Sequence, residues 1–154
     1  MADQAVGAEQ QLVVFTLNDG AYGVDIGTVR EIIRMQEITQ IPKTPPYVEG
    51  VINLRGRVIP VLNLRERFGM EAGEESLAKR IVVVDTGEQS MGFVVDAVSE
   101  VLRVPRTAVE PPPSVVTSAD SDYVVGIVKL PDRLISLLDL ERMLDGFEAA
   151  AAVG

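Results

Sequence analysis

The sequence predicts an all-β protein with short helices, built as two related five-stranded barrels packed together. Three observations carry this. Valine is abundant and aromatics make up only 5% of 154 residues, with no Trp, so the core is aliphatic and favours strands. Apolar runs are short and separated by Gly, Asn, Asp and Pro turn signals. The chain also repeats itself. The stretch 22–34, Tyr-Gly-Val-Asp-Ile-Gly-Thr-Val-Arg-Glu-Ile-Ile-Arg, matches 91–103, Met-Gly-Phe-Val-Val-Asp-Ala-Val-Ser-Glu-Val-Leu-Arg. The stretch 50–64 matches 126–140, with Gly50, Leu54, Arg57, Ile59, Leu62 and Leu64 identical to their partners. Two blocks repeated in the same order indicate a duplication.

In the first half, 11–17 reads as a strand and Asn18-Asp19-Gly20 as a tight turn. Residues 21–26 return as a second strand, with Tyr22, Val24 and Ile26 on one face. A short turn at 27–30 leads to a third strand at 31–38. Ile41-Pro-Lys-Thr-Pro-Pro46 cannot join a ladder, because proline lacks the donor. Strands at 48–54 and 58–62 flank the turn Arg55-Gly56-Arg57, and a short helix begins at Leu64. The second half repeats the plan: a hairpin of 80–85 and 91–95, a strand at 98–104, a Pro/Ser-rich loop at 110–122, strands at 124–130 and 134–138, and a helix over 139–147 capped by Asp139. The boundary falls in the Gly/Glu/Ala-rich stretch 70–79. The expected units are therefore 11–79 and 80–147, with flexible tails at 1–10 and 148–154. Runs such as Leu12-Val-Val-Phe15 and Ile81-Val-Val-Val84 are apolar on both faces, so their outward residues should be buried between the halves.

Composition narrows function. Lys and Arg number 14 against 23 Asp and Glu, a net charge of −9, which disfavours nucleic acid and anionic membranes. There is no Cys and no His, which removes thiol chemistry, disulfides and the commonest general base and metal ligand. No Walker or dinucleotide loop is present, and Asp19, Asp85, Asp120, Asp122 and Asp132 fall at turns, where Asp is expected for backbone reasons. Expected cofactors and metals are none, and catalysis is not expected. No apolar run is long enough to cross a bilayer and no signal peptide is read, so a cytoplasmic location is expected.

Three features could carry binding. Glu31 and Arg55 are charged residues among apolar strands. Glu31 repeats as Glu100, which fits packing, whereas Arg55 aligns with Pro131 and breaks the symmetry. The stretch 35–42 contains Met35, Ile38, Ile41 and Pro42, either a cap on a barrel core or an apolar docking edge. The third is a crevice between the halves near Val29 and Val98, which could also admit a small ligand.

At these residues the sequence resembles the chemotaxis coupling protein CheW family. The carriers are 15–26 with Val29-Arg-Glu-Ile32, 92–102, Pro111-Pro-Pro113 and, most specifically, the stretch 45–65, Pro-Pro-Tyr-Val-Glu-Gly-Val-Ile-Asn-Leu-Arg-Gly-Arg-Val-Ile-Pro-Val-Leu-Asn-Leu-Arg. Asn63 stands where Asp is more usual. The resemblance implies two SH3-like barrels, no enzymatic activity, and an adaptor that links cytoplasmic tips of methyl-accepting chemotaxis proteins to the regulatory domain of the histidine kinase CheA. By motif position it implies receptor binding at Val29, Glu31, Gly50 and Arg55. It places kinase binding around Met35, Ile38, Ile41 and Pro42.

Overall fold

The computed structural model describes residues 9–71, 76–85, 89–112, 123–140 and 142. Its strands are β1 (Glu9–Leu17), β2 (Gly20–Asp25), β3 (Val29–Arg34), β4 (Val48–Leu54), β5 (Arg57–Asn63), β6 (Arg80–Asp85), β7 (Ser90–Val95), β8 (Ala97–Pro105), β9 (Val109–Glu110), β10 (Val124–Lys129) and β11 (Leu134–Leu138). One helical turn, α1 (Leu64–Arg67), follows β5. Asn63 caps it, accepting from the Glu66 amide at 3.1 Å, and also donates through Nδ2 to Glu49 at 2.6 Å. The second bond needs an amide donor, which an ionised Asp lacks. Leu140 and Arg142 are helical, and the Arg142 amide donates to Asp139 at 3.3 Å as expected of a cap. Residues 143–147 of the expected helix, most of the 110–122 loop and the tails 1–8 and 148–154 lie outside the described residues.

Among the described residues, eleven strands form two sheets, in the orders β8-β1-β2-β11-β10-β9 and β3-β6-β7-β5-β4. The all-β class with short helices is therefore as read from the sequence. The boundary at 79/80 is not a sheet boundary. Hairpin β1–β2 lies with β8, β9, β10 and β11, whereas hairpin β6–β7 lies with β3, β4 and β5. One sheet, barrel B, is the contiguous segment 29–95. The other, barrel A, is assembled from 9–25 and 97–138 around it. Each repeated half thus donates its first hairpin to the other half's remaining strands. The two hairpins carry the same apolar pattern, and either could pair with either set of strands. Matching contacts, β1 with β8 and β2 with β11 against β6 with β3 and β7 with β5, preserve the duplication under this exchange.

The two-faced apolar runs are explained by three cores. Leu12 and Val14 enter barrel A with Val104, Val128 and Ile135. Ile81 and Val83 enter barrel B with Ile52, Ile59 and Val61. The alternate residues Val13, Phe15, Val82 and Val84 meet in a central core between the sheets, with Phe93 and Phe68. Period two puts successive side chains on opposite faces, and both faces are dry. At ~25 cal/mol per Å2, fully burying each such aliphatic side chain contributes about 1.5–3 kcal/mol before entropic costs.

Two segments differ from the sequence reading. The third strand, expected at 31–38, begins at Val29 and stops at Arg34, because its partner β6 begins at Arg80, the residue paired with Arg34. Val109 and Glu110, at the edge of the expected loop, form a short strand against β10.

Candidate functional site

The predicted site residues lie along the open seam of barrel B. Strands β3 and β4 are the two edges of that sheet, and no ladder joins them. Three separate ties do. Arg55, in the β4–β5 turn, donates through Nη1 and Nη2 to the two Glu31 carboxylate oxygens, both at 2.6 Å. Gln36 donates to the Asn53 carbonyl at 3.5 Å. Thr39 and Val51 exchange two backbone hydrogen bonds of 2.9 Å.

Each tie has a local cause. The turn Arg55-Gly56 has φ of 53° and 85°, the left-handed pair of a tight hairpin, with Asn53 Oδ1 accepting from Gly56 at 2.9 Å. An extra residue, Arg30, bulges β3 between Val29 and Glu31. Before the bulge Val29 packs on the central core; after it Glu31 sits opposite Val83, on the barrel B face shared with Ile33. Glu31 therefore lies at the barrel mouth, and the Arg55 fork closes over it.

The ion pair is lopsided: the Glu31 side chain is 22% exposed and that of Arg55 70%. The Arg55 hydrogen bonds hold the Glu31 carboxyl below the ordinary value, against desolvation, with the charges of Arg55 and Arg30 adding to the lowering. The same bonds raise Arg55. The pair is thus ionised and intact at neutral pH. It leaves one face of a fixed guanidinium toward solvent.

Gly50 works differently. Its φ is +144°, and an added Cβ would lie 2.1 Å from the Thr39 carbonyl oxygen and 3.0 Å from Ile38. Gly50 is what lets the 38–39 segment cross β4. Ile38 packs with Ile33 and Leu54 on the barrel B core, while Met35 and Ile41 are about 40% exposed and Pro42 is exposed. The two readings of 35–42 are thus divided between residues: Ile38 caps the core, and Met35, Ile41 and Pro42 form an outward edge.

The structure restores a symmetry that alignment broke. Glu100 pairs with Arg133, which aligns with Arg57. Arg55 therefore does have a structural counterpart in its ion pair, displaced by two positions along the hairpin turn. A bulge at Ser99 repeats that at Arg30, and Gly126 repeats Gly50, with Val109 and Glu110 crossing over it as Ile38 and Thr39 cross over Gly50. The edge at 35–42 likewise has a counterpart, invisible in sequence because β9 shares no residues with it.

Where barrels A and B meet, Asp96 lies in the connection from β7 to β8. It accepts from Arg65 Nε at 2.8 Å and Nη2 at 2.6 Å, and from the Asn18 amide at 2.7 Å. Burial pushes Asp96 up, but the bonds from Arg65 and Asn18 outweigh it and hold the group below its ordinary value. Asp96 thereby ties the β1–β2 turn to α1. The sequence offered no signal for this clamp beyond an Asp at a chain crossing.

No group of three or more His, Cys, Asp or Glu suited to a metal occurs among the described residues. Among the described residues, shallow clefts of about 190 and 370 Å3 lie on barrel A and the first crossover, away from the predicted site residues.

A model of the CheW-like domain matches residues 11–148. The chain belongs to the CheW-like family. It is 35% identical over 150 residues to the chemotaxis protein CheW of Treponema pallidum, covering 94% of this chain and 88% of that one. It is 36% identical over 134 residues to the CheW of Helicobacter pylori, covering 87% and 81%. The crystal structure of the scaffolding protein TtCheW from Thermoanaerobacter tengcongensis superposes with a TM-score of 0.82 at 41% identity, covering 88% of this chain and 92% of that one. Family and fold thus agree with the sequence reading.

Proposed function

We propose that this chain is a non-enzymatic chemotaxis adaptor that couples methyl-accepting chemoreceptor tips to the regulatory domain of CheA and supports receptor array assembly. The observation that carries the reading is the barrel B seam, where a fixed exposed guanidinium and an apolar edge lie on one sheet boundary. On this reading Val29, Glu31, Gly50 and Arg55 serve the receptor side, and Met35, Ile38, Ile41 and Pro42 the kinase side. Arg55 offers donors in a set direction, because Glu31 already holds its fork. Gly50 serves indirectly, by letting the kinase-side segment lie across β4. The protein would act in the cytoplasm, reaching the membrane through its partners; no described helix is long and apolar enough to span one.

An adaptor transmits a signal only if it binds the kinase-on and kinase-off assemblies with different affinity. Two surfaces on one barrel hold both partners in a fixed relation, so an assembly in which receptor tip and kinase are placed differently satisfies the two contacts unequally. The test is reconstitution of receptor tip, CheA and this chain. Arg55→Ala should fold as the parent does and lower ternary-complex yield and kinase stimulation by about tenfold, the loss of one charge-assisted contact. Unchanged assembly and stimulation would remove Arg55 from the receptor side.

A further inference from the structure

Tyr47 and Tyr123 stand three residues before Gly50 and Gly126, so they are equivalent residues of the two repeats. Their carbonyls accept equivalent bonds, from Asn63 at 2.7 Å and Asp139 at 2.8 Å. Between their rings lies the Arg67 guanidinium, 4.9 Å from the Tyr47 centroid and 4.7 Å from that of Tyr123. Phe68 stacks on Tyr123 at 5.9 Å and backs the arrangement. Position 143, which repeats Arg67 in the sequence, is Met, so the duplication does not repeat this cation.

Arg67 is partly buried, and its Nε is buried without a hydrogen-bond partner. No hydrogen bond or ion pair to it occurs among the described residues, although acidic residues outnumber basic ones in this chain. Glu66 beside it is exposed, and Glu49 is engaged by Asn63. A guanidinium held between two rings has lost its rotational freedom, and with Nε turned inward it presents its Nη end. That end matches the two oxygens of a carboxylate.

We propose that Tyr47, Arg67 and Tyr123 form a binding slot for an acidic side chain of a partner protein. Glutamate fits best, its methylenes lying along the rings and its carboxylate meeting Nη1 and Nη2. Capture of a chain terminus is built from converging backbone amides, whereas the donor here is a side chain between aromatic walls. Inorganic phosphate has no methylenes to lie along the Tyr47 and Tyr123 rings, so the aromatic walls would go unused. The slot deepens the adaptor reading by naming the chemistry of one contact. Its test uses isolated peptides, so its failure leaves the reconstitution assay standing.

The probes are the blocked tripeptides Ac-Gly-Glu-Gly-NH2 and Ac-Gly-Gln-Gly-NH2, and Ac-Gly-Gln-Gly-OH, which carries only a terminal carboxylate. They are titrated into the full chain at low salt. NMR follows the rings of Tyr47 and Tyr123 and the Arg67 Nε–H, with buried Tyr22 as the internal control. The Glu peptide should shift the slot signals saturably and leave Tyr22 in place, while neither Gln peptide does so. Arg67→Gln should weaken the Glu peptide by about tenfold or more, and Arg67→Lys, which keeps the charge and loses the fork, by a smaller factor. Should Arg67→Gln fail to fold, Arg67→Lys and the parent titrations decide. Absence of saturable shifts, equal response to the neutral Gln peptide, response to the terminal carboxylate alone, or unchanged affinity in either folded variant would overturn the proposal.

Discussion

Barrels A and B share a plan but are closed by different means. In barrel A the seam is a short ladder: Val109 and Glu110 of β9 pair with Val128 and Ile127 of β10, and Lys129 stands 4.0 Å from Glu110. In barrel B the equivalent place holds one isolated bridge, Thr39 with Val51, followed by exposed Ile41 and Pro42. Both mouths carry a Glu–Arg pair, but Arg55 is far more exposed than Arg133, at 70% against 33%. Duplication supplied two equivalent edges. One is finished by its own backbone, and the other is left with exposed apolar side chains and an outward cation. On the proposed reading, an interaction edge is made by omitting a strand rather than by adding a loop.

The sharpest way to break this comparison is to cut the chain. Residues 27–96 contain every strand of barrel B, whereas 80–147 contain β6 and β7 without β3 and β5, and β8 to β11 without β1 and β2. The first fragment should retain β structure by circular dichroism, with self-association through the bared face of Val82, Val84 and Phe93. The second should be unfolded. A cooperative, soluble fold for 80–147 alone would contradict the exchanged hairpins.

Single substitutions come next. Gly50→Ala drives Cβ into a backbone carbonyl at positive φ and should cost about 2–4 kcal/mol in denaturant unfolding. Gly126→Ala meets a Val109 methyl at 2.5 Å instead of a backbone carbonyl, and outside the left-handed region, so it should cost less, about 1–2 kcal/mol. Equal losses would mean that the two crossings are equally rigid.

Asp96→Asn removes the charge from a clamp whose side chains are 16% and 22% exposed, and should cost about 1–3 kcal/mol. Because the folded-state pKa of Asp96 is depressed, its contribution is present above the ordinary aspartate range and disappears as pH falls through the folded value. The variant should therefore lose less stability on acidification than the parent. The smallest effect on stability is expected for Arg55→Ala, where the guanidinium is in water; its thermal midpoint should stay close to the parent's. Arg133→Ala, with a less exposed side chain, should lower the midpoint more and leave receptor coupling alone.

Most strand positions were legible because period-two patterning and turn residues are local signals. Leu12 to Phe15 announced two dry faces, and the three cores confirm them. What escaped was every feature that depends on pairing partners. Nothing in the pattern of β1–β2 distinguishes β8 and β11 from β3 and β5 as neighbours, so contiguous halves were expected. Arg133 escaped because alignment matches backbone positions, whereas an ion pair needs only the charged tip to arrive. A long guanidinium reaches the same mouth from two residues further along the turn. Arg67 and the Asp96 clamp escaped because they use residues from separate strands and connections brought together by the central core.

The exchange of hairpins also sets an order of events during synthesis. As the chain emerges, β1–β2 appears first, with both apolar faces and no completed sheet to join. Barrel B can close once residue 95 has been made. The leading hairpin must wait for β8, β10 and β11, the last of which ends at Leu138. For most of translation its Leu12 and Val14 face is bare, and that interval is when the nascent chain is open to aggregation and to chaperones. Barrel B is finished while barrel A is still waiting for its last strands.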